Sequence, residues 1–267
     1  MPAARLSTVE QIPEQLVQMI LIGTSGFQYP EWKGRFYPAR MPAPKMLSFY
    51  ANHFPTTEIN YTFRQLPGDR TIASWLAQTP EFFRFTLKAP ERITHHQGLR
   101  GCEILMRSFA DTAFKLGSKR GTMFFQLPPH FKCDLSVLKN FVALIPEPLV
   151  AVFEFRHVSW FTGSVFDVLR QHNATLCIAD TETLTTPIVF TGATGYFRLR
   201  RADYSPADLH RWAEVIREHT SSLTDIYVYL KHERTGTGPR IAKELMVMLG
   251  LKQIEGKAPE QELPLGG

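Results

Sequence analysis

Eight short runs rich in β-branched and aromatic residues recur along the chain: Ile20–Gly26, Thr56–Thr62, Phe82–Lys88, Thr122–Leu127, Val150–Phe155, Thr175–Asp180, Gly195–Arg200 and Asp225–Lys231. Runs of this composition read as strands, and their spacing of about 30 residues is the length of one strand–helix unit. Helical patterns fill most of the gaps. Glu103–Leu116 carries Leu105, Phe109, Ala113 and Leu116 on one stripe and meets Gly117 at its end, and Leu135–Leu144 follows an Asp134 cap. Ser205-Pro206-Ala207-Asp208 pairs an N-cap with proline at the first helical position, and Leu209, Trp212 and Ile216 form the stripe behind it. Ile241–Leu249 gives the last helix. Thr181–Thr194 breaks the pattern: its threonines, proline and β-branched run have no helical period. The expected fold is therefore α/β, a single TIM-type (β/α)₈ barrel whose sixth helix is short or missing.

Size agrees, since 267 residues is close to one such barrel. With 44% hydrophobic and 21% charged residues, the chain can bury a large core without covalent staples. Residues 1–17 read as a polar appendage, 18–250 as the barrel domain and 251–267 as a loose C-terminal tail. Cys102, Cys133 and Cys177 are odd in number and lack CxxC spacing, which points to a reducing compartment and away from a disulfide framework or zinc cluster. Met1–Val17 has no apolar core like that of a signal peptide, and the run Met19–Ile22 is too short to span a membrane. The expectation is a cytoplasmic protein with no membrane partner. Thirty Lys and Arg against 25 Asp and Glu give +5, a mild excess compatible with an anionic partner.

Side-chain alternation locates a site. A barrel strand faces the helices on one side and the interior on the other, with period two. Phe83, Phe85 and Leu87 alternate with Arg84, Thr86 and Lys88; Ala151, Phe153 and Phe155 with Val152, Glu154 and Arg156; Phe197 and Leu199 with Tyr196, Arg198 and Arg200. Thr57 and Ile59 alternate with Glu58, Asn60 and Thr62, while Asp180 shares a phase with Leu176 and Ile178. The apolar phase packs under the helix ring, so the polar phase faces inward and crowds towards the C-terminal strand ends, where barrel active sites lie. Thr24, Glu58, Asn60, Lys88, Gln126, Glu154, Arg156, Asp180, Arg198 and Lys231 are expected to converge on one basin.

At these residues the chain resembles the YecE-like family, domain of unknown function 72. The matching stretches are Ile22-Gly23-Thr24-Ser25-Gly26 with Tyr29 and Trp32, Phe36-Tyr37-Pro38, Thr57-Glu58-Ile59-Asn60 with Thr62-Phe63, and Leu66-Pro67. Phe85 to His95 matches too, including Lys88, Pro90, Ile93 and Thr94, as do Phe125-Gln126-Leu127-Pro128-Pro129, Glu154-Phe155-Arg156-His157 with Ser159-Trp160-Phe161, and the Asp180 strand. The resemblance covers about Ile20 to Gly250 and implies a (β/α)₈ barrel without an established activity. The chain departs from the family pattern at Phe27, where tryptophan is common, and at Tyr61 and Arg64. It departs again at Arg200-Arg201, where His-Gly is usual, and at Lys231-His232, where asparagines are usual. These departures make the mouth more basic.

The expected basin sets three acids, Glu58, Glu154 and Asp180, against six bases, Arg84, Lys88, Arg156, Arg198, Arg200 and Lys231. A basin of that sign attracts phosphate, carboxylate or a nucleic-acid backbone. Glu154 is the leading general acid or base, Asp180 its candidate partner, and Lys88 an electrostatic clamp or, less favoured, a Schiff-base nucleophile. Thr24, Glu58, Asn60, Gln126, Arg156, Trp160, Arg198, Arg200 and Lys231 are the candidate substrate contacts. Phe27, Tyr29, Trp32, Tyr37, Phe63 and Trp160 lie in loops expected above the basin, either stacking a base or sugar or forming a small loop core. No metal ligand is assigned: His95, Glu154, His157 and Asp180 match a metal centre only loosely, so a divalent metal is not favoured and the cofactor is left open. Three functions follow from this reading: an enzyme, hydrolase or lyase, acting on an anionic substrate by acid/base chemistry; a metal-dependent phosphodiesterase on nucleic acid; and a non-catalytic binder of an anionic metabolite or nucleic acid.

Overall fold

The computed structural model describes residues 19–231, 236–252 and 254; residues 1–17, His232 and most of 251–267 lie outside them. Among the described residues there are nine strands: β1 (Met19–Ser25), β2 (Thr56–Ile59), β3 (Arg84–Lys88), β4 (Arg120–Gln126), β5 (Ala151–Glu154), β6 (Thr175–Leu176), β7 (Ile178–Asp180), β8 (Thr194–Leu199) and β9 (Asp225–Leu230). All pair in parallel, in the order β6-β5-β4-β3-β2-β1-β9-β8-β7. β6 and β7 are two pieces of one stave, parted at Cys177, whose amide still donates to Phe153 of β5. The first piece pairs with β5 and the second with β8, so the sheet closes as an eight-stave α/β barrel of the TIM type.

Seven helices ring the described barrel: α1 (Met46–Ala51), α2 (Asp69–Ala77), α3 (Glu103–Phe114), α4 (Leu135–Val142), α5 (Gly163–Gln171), α6 (Pro206–Thr220) and α7 (Thr237–Met248). The caps read from sequence are present. The Asp134 side chain accepts from the Val137 amide, and Ser205 with Asp208 forms a reciprocal capping box at α6. No helix forms between β7 and β8, because threonine hydroxyls there compete for the backbone. Thr181 Oγ1 donates to the Leu184 carbonyl and accepts from the Leu184 amide, closing a turn, while Thr191 Oγ1 donates to the Ala174 carbonyl. Val189 and Phe190 from this segment still pack on the core in place of helical side chains.

The outward phase of the staves, including Phe85, Phe125, Phe153 and Phe197, joins the helices in one large apolar core. The inward phase fills the barrel in layers. Leu21 and Tyr227 belong to the interior cluster towards the N-terminal end, and above them hydroxyls link four staves. Tyr229 Oη bonds both Thr56 Oγ1 (2.7 Å) and Thr86 Oγ1 (2.8 Å), and Thr86 Oγ1 meets Thr122 Oγ1 at 2.9 Å. Phe124 and Tyr196 then stack with centroids 5.5 Å apart. Gly23 permits the tight β1–β2 approach, since a Cβ there would lie 2.0 Å from the Thr56 carbonyl oxygen.

Candidate functional site

Charge begins one layer above these rings. Arg198, near the end of β8, lies over the Phe124 ring at 4.5 Å and is 2% exposed. Its two terminal nitrogens divide between two strand-end carboxylates: one donates to Glu154 Oε2 at 2.5 Å, the other to Glu58 Oε1 at 2.8 Å. The remaining carboxylate oxygens are also satisfied. Tyr196 Oη donates to Glu58 Oε2 at 2.7 Å, Ser25 Oγ donates to Glu58 Oε1 at 2.6 Å, and Gln126 Nε2 donates to Glu154 Oε1 at 2.7 Å. Burial alone would raise both carboxyls, but the Arg198 guanidinium and these hydrogen bonds outweigh it, so Glu58 and Glu154 lie below the ordinary carboxylate value. Both are anions at neutral pH, and this layer is a paired floor.

The rim above it differs. Lys88 ends β3 half-buried, with Nζ donating to Gln126 Oε1 at 2.9 Å and lying 4.3 Å from the Phe63 ring centroid. Burial, reinforced by Arg198, brings its ammonium down to about 8 despite the two carboxylates. Arg200, just past β8, is half-buried, and its guanidinium has no hydrogen bond or ion pair among the described residues. Burial and then Arg198 lower it from its ordinary value. Ser25, Tyr29, Asn60, Phe63, Lys88, Gln126, Arg198 and Arg200 line a cleft of about 270 Å³. Arg200 also borders a second cleft of about 250 Å³, shared with Glu154, Arg156, Thr181, Glu182 and Lys231. Lys231 approaches Glu182 at 3.8 Å there.

The structure thus brings together Glu58, Asn60, Lys88, Gln126, Glu154, Arg198 and Arg200, with Arg156 and Lys231 in the adjoining cleft. Four expected mouth residues stand elsewhere. Asp180 faces the helix ring: its Oδ2 accepts from Trp212 Nε1 (3.1 Å) and Arg201 Nε (3.0 Å). Its shared phase with Leu176 and Ile178 places it there, and it is no partner for Glu154. Thr24 shares the outward phase of Ile22 and bonds Tyr50 of α1 and the Gly26 carbonyl. Trp160 is fully buried, stacked on Phe155 at 4.5 Å with its indole donating to the Phe131 carbonyl, so it is core. Arg84 faces inward but begins β3, at the opposite end of the barrel, where it bonds the carbonyls of Glu81 and Phe83. Of the loop aromatics, Trp32 and Tyr37 form a buried loop core, whereas Phe27, Tyr29 and Phe63 remain partly exposed. Ser25 and Tyr196, absent from the expected set, complete the floor. Their inward phase, Ser25 opposite Glu58 in register and Tyr196 one step below Arg198, was the available signal.

His95, bonded to Thr94, and His157, bonded to Ser159, do not gather with Glu154 and Asp180. Among the described residues no three of His, Cys, Asp and Glu form a metal-holding group.

Fold and site together define a TIM-type barrel with a charge-paired floor and a cationic rim at the C-terminal strand ends. The family described as protein of unknown function DUF72 matches residues 21–263, and the chain belongs to it. It is 26% identical to the UPF0759 protein YunF of Bacillus subtilis over 289 aligned positions, covering 91% of this chain and 99% of that protein. It is 32% identical to the UPF0759 protein YecE of Escherichia coli over 144 positions, covering 54% of this chain and 50% of that one. Among solved structures, a DUF72 family protein of Thermotoga maritima superposes with a TM-score of 0.79 at 26% identity, over 87% of this chain and 100% of that one. An Enterococcus faecalis member gives 0.74 at 18% identity over 88% and 96%, a likeness of fold. The family description carries no activity.

Proposed function

We propose that the mouth binds a small phosphate- or carboxylate-bearing substrate and that Lys88 moves a proton in an acid/base reaction on it. The observation that carries this reading is Arg200: a half-buried guanidinium facing the cleft with no hydrogen-bonding or ion-pair partner among the described residues. A guanidinium is suited to bidentate oxyanion binding, and an anion there would gain charge-assisted hydrogen bonds. Asn60 lines the same cleft and offers neutral ones.

The proton role belongs to Lys88 rather than to the carboxylates. Glu58 and Glu154 are held ionised by Arg198, whereas an ammonium brought down to about 8 changes charge near working pH. Glu154 then acts by position: through Gln126 it fixes the amide oxygen that holds Lys88 Nζ. The metal-dependent phosphodiesterase reading has no gathered ligand set among the described residues. A non-catalytic binder would use the same cleft and differ only in turnover.

A cytoplasmic setting belongs to the proposal, supported by the free thiols Cys102, Cys133 and Cys177. Among the described residues no helix is long and apolar enough to cross a membrane. Thermal-shift measurements with inorganic phosphate, sulfate and acetate test the anion site, because a ligand stabilises the fold it binds. Stabilisation by at least one of them, lost in Arg200→Ala, is expected. If all three leave the wild-type melting temperature unmoved, the reading is abandoned.

A further inference from the structure

Tyr29 and Asn60 stand between the cleft at Arg200 and Lys88 and a neighbouring one. Both residues also line a larger cleft of about 520 Å³ that runs outward towards α2, walled chiefly by Phe27, Ile59, Tyr61 and Trp75. The two clefts differ in chemistry: one presents guanidinium, ammonium and amide groups, the other aromatic rings.

Those rings are not all the closed loop core that Trp32 and Tyr37 form nearby. Tyr61 is 51% exposed at the edge of the cleft, and Phe27 and Tyr29 are only partly covered. Their positions are held from behind. Tyr29 Oη donates to the Ser25 carbonyl at 2.7 Å, and the ring crosses Gly26 so closely that a Cβ there would meet Tyr29 Oη at 2.3 Å. Gly26 has φ +90°, so glycine both permits the turn and admits the ring. Trp75 stacks on Phe85 with centroids 5.7 Å apart. The result is a fixed aromatic wall on the far side of Tyr29 and Asn60 from a guanidinium that has no hydrogen bond or ion pair among the described residues.

A bare phosphate or acetate would fill the polar cleft and leave that wall in contact with water. A ligand joining an anion to a flat apolar ring would cover both, since aromatic faces favour stacked or edge-on partners. We propose that the natural ligand is a small molecule in which an anionic group is joined to a planar aromatic body. The anion sits at Arg200 and Lys88, and the ring lies in the cleft bounded by Phe27, Tyr29, Tyr61 and Trp75. This rests on the anion-site reading above and adds the class of body the anion is attached to.

Titration calorimetry with inorganic phosphate and with phenyl phosphate separates the two claims. On the wild-type protein phenyl phosphate should bind about tenfold more tightly, the order of one favourable aromatic contact. Tyr61→Ala should shrink that advantage, and Thr71→Trp, a partly exposed α2 position lining the cleft, should abolish it by filling the space. Inorganic phosphate should bind all three proteins equally. Equal affinity of the two probes for the wild type overturns the aromatic extension and leaves the anion site standing. Undiminished phenyl phosphate binding by Thr71→Trp, or equal loss of both probes, overturns it as well. Binding of neither probe by the wild type overturns both readings.

Discussion

On the floor of the mouth Arg198 commits both terminal nitrogens to Glu58 and Glu154; two residues along the same stave, Arg200 reaches the cleft with no such partner among the described residues. The residue type is the same and the strand phase is the same, so the difference lies in depth. At the level of Arg198 two staves that do not adjoin β8 present carboxylates into the barrel, Glu58 on β2 and Glu154 on β5. One step higher the staves have given way to loops: Arg200 feels Glu58 and Glu154 without pairing to either, and Lys88 adds a second cation to the cleft. Charge that is balanced internally builds a rigid base, and charge left unbalanced above it favours an incoming anion.

The sharpest way to break this contrast is to empty the floor. Arg198→Met would leave two buried carboxylates without their cation, at an expected cost of about 3–5 kcal/mol in stability, read from the urea midpoint. Combining it with Glu58→Gln and Glu154→Gln should recover most of that loss; if it does not, the floor is held by packing rather than by charge pairing. The same carboxylates make the floor sensitive to acid. Their folded values lie below the ordinary 4.5, so the stability they confer is complete above that pH and is lost as pH falls through the folded values.

Arg200→Ala addresses the rim. It should weaken phosphate binding by about 1.5–3 kcal/mol, the range for hydrogen bonds to a charged group, while leaving the urea midpoint nearly unchanged. A large stability loss with unchanged binding would make Arg200 a structural residue and erase the contrast.

Lys88 gives a pH signature of opposite signs. Its value is about 8 in the folded protein against an ordinary 10.5, so between these limits the unfolded chain binds more protons. Stability should rise with pH through that window, while anion affinity falls, by about tenfold between pH 7 and 9 for a single group titrating near 8. Both trends should be absent in Lys88→Met. If affinity is flat over that range in the wild type, Lys88 is not the titrating contact.

The smallest effect is expected behind the mouth. Asp180 accepts from Arg201 and Trp212 on the helix side, while its carbonyl accepts the Arg200 amide at 2.8 Å. Asp180→Asn should cost about 1 kcal/mol in stability through a weakened hydrogen-bond set and change phosphate affinity less than Arg200→Ala does. A loss of affinity as large as that of Arg200→Ala would show that the outer network positions the rim.

Much of this arrangement was legible in the residues. The strand runs recur close to their expected places, and Thr181–Thr194, where a short or missing helix is expected, holds none. The inward phase of Glu58, Lys88, Glu154 and Arg198 follows from the apolar residues alternating with them. Polarity groups Asp180 and Thr24 with the mouth, but the phase they share with Leu176, Ile178 and Ile22 puts both on the helix side. Arg84 shows the complementary failure, since phase sets the face and position along the strand sets the end. The pairing of Arg198 with two carboxylates required the register, which places Ser25 level with Glu58 and Gln126 level with Glu154 across separate strand pairs. No single run contains that information.

The absent helix between β7 and β8 bears on how such a barrel diversifies. The turn from Thr181 to Leu184 is closed by its own hydroxyl and forms part of the wall of the second cleft, with Thr186 returning to the Ala179 carbonyl. No helix is anchored to that turn, so residues inserted between Thr181 and Thr186 would reshape the cleft without any helix having to re-dock on the barrel. Insertions at this corner of the mouth should therefore disturb the barrel less than insertions beneath α2 or α3, and would alter the second cleft first.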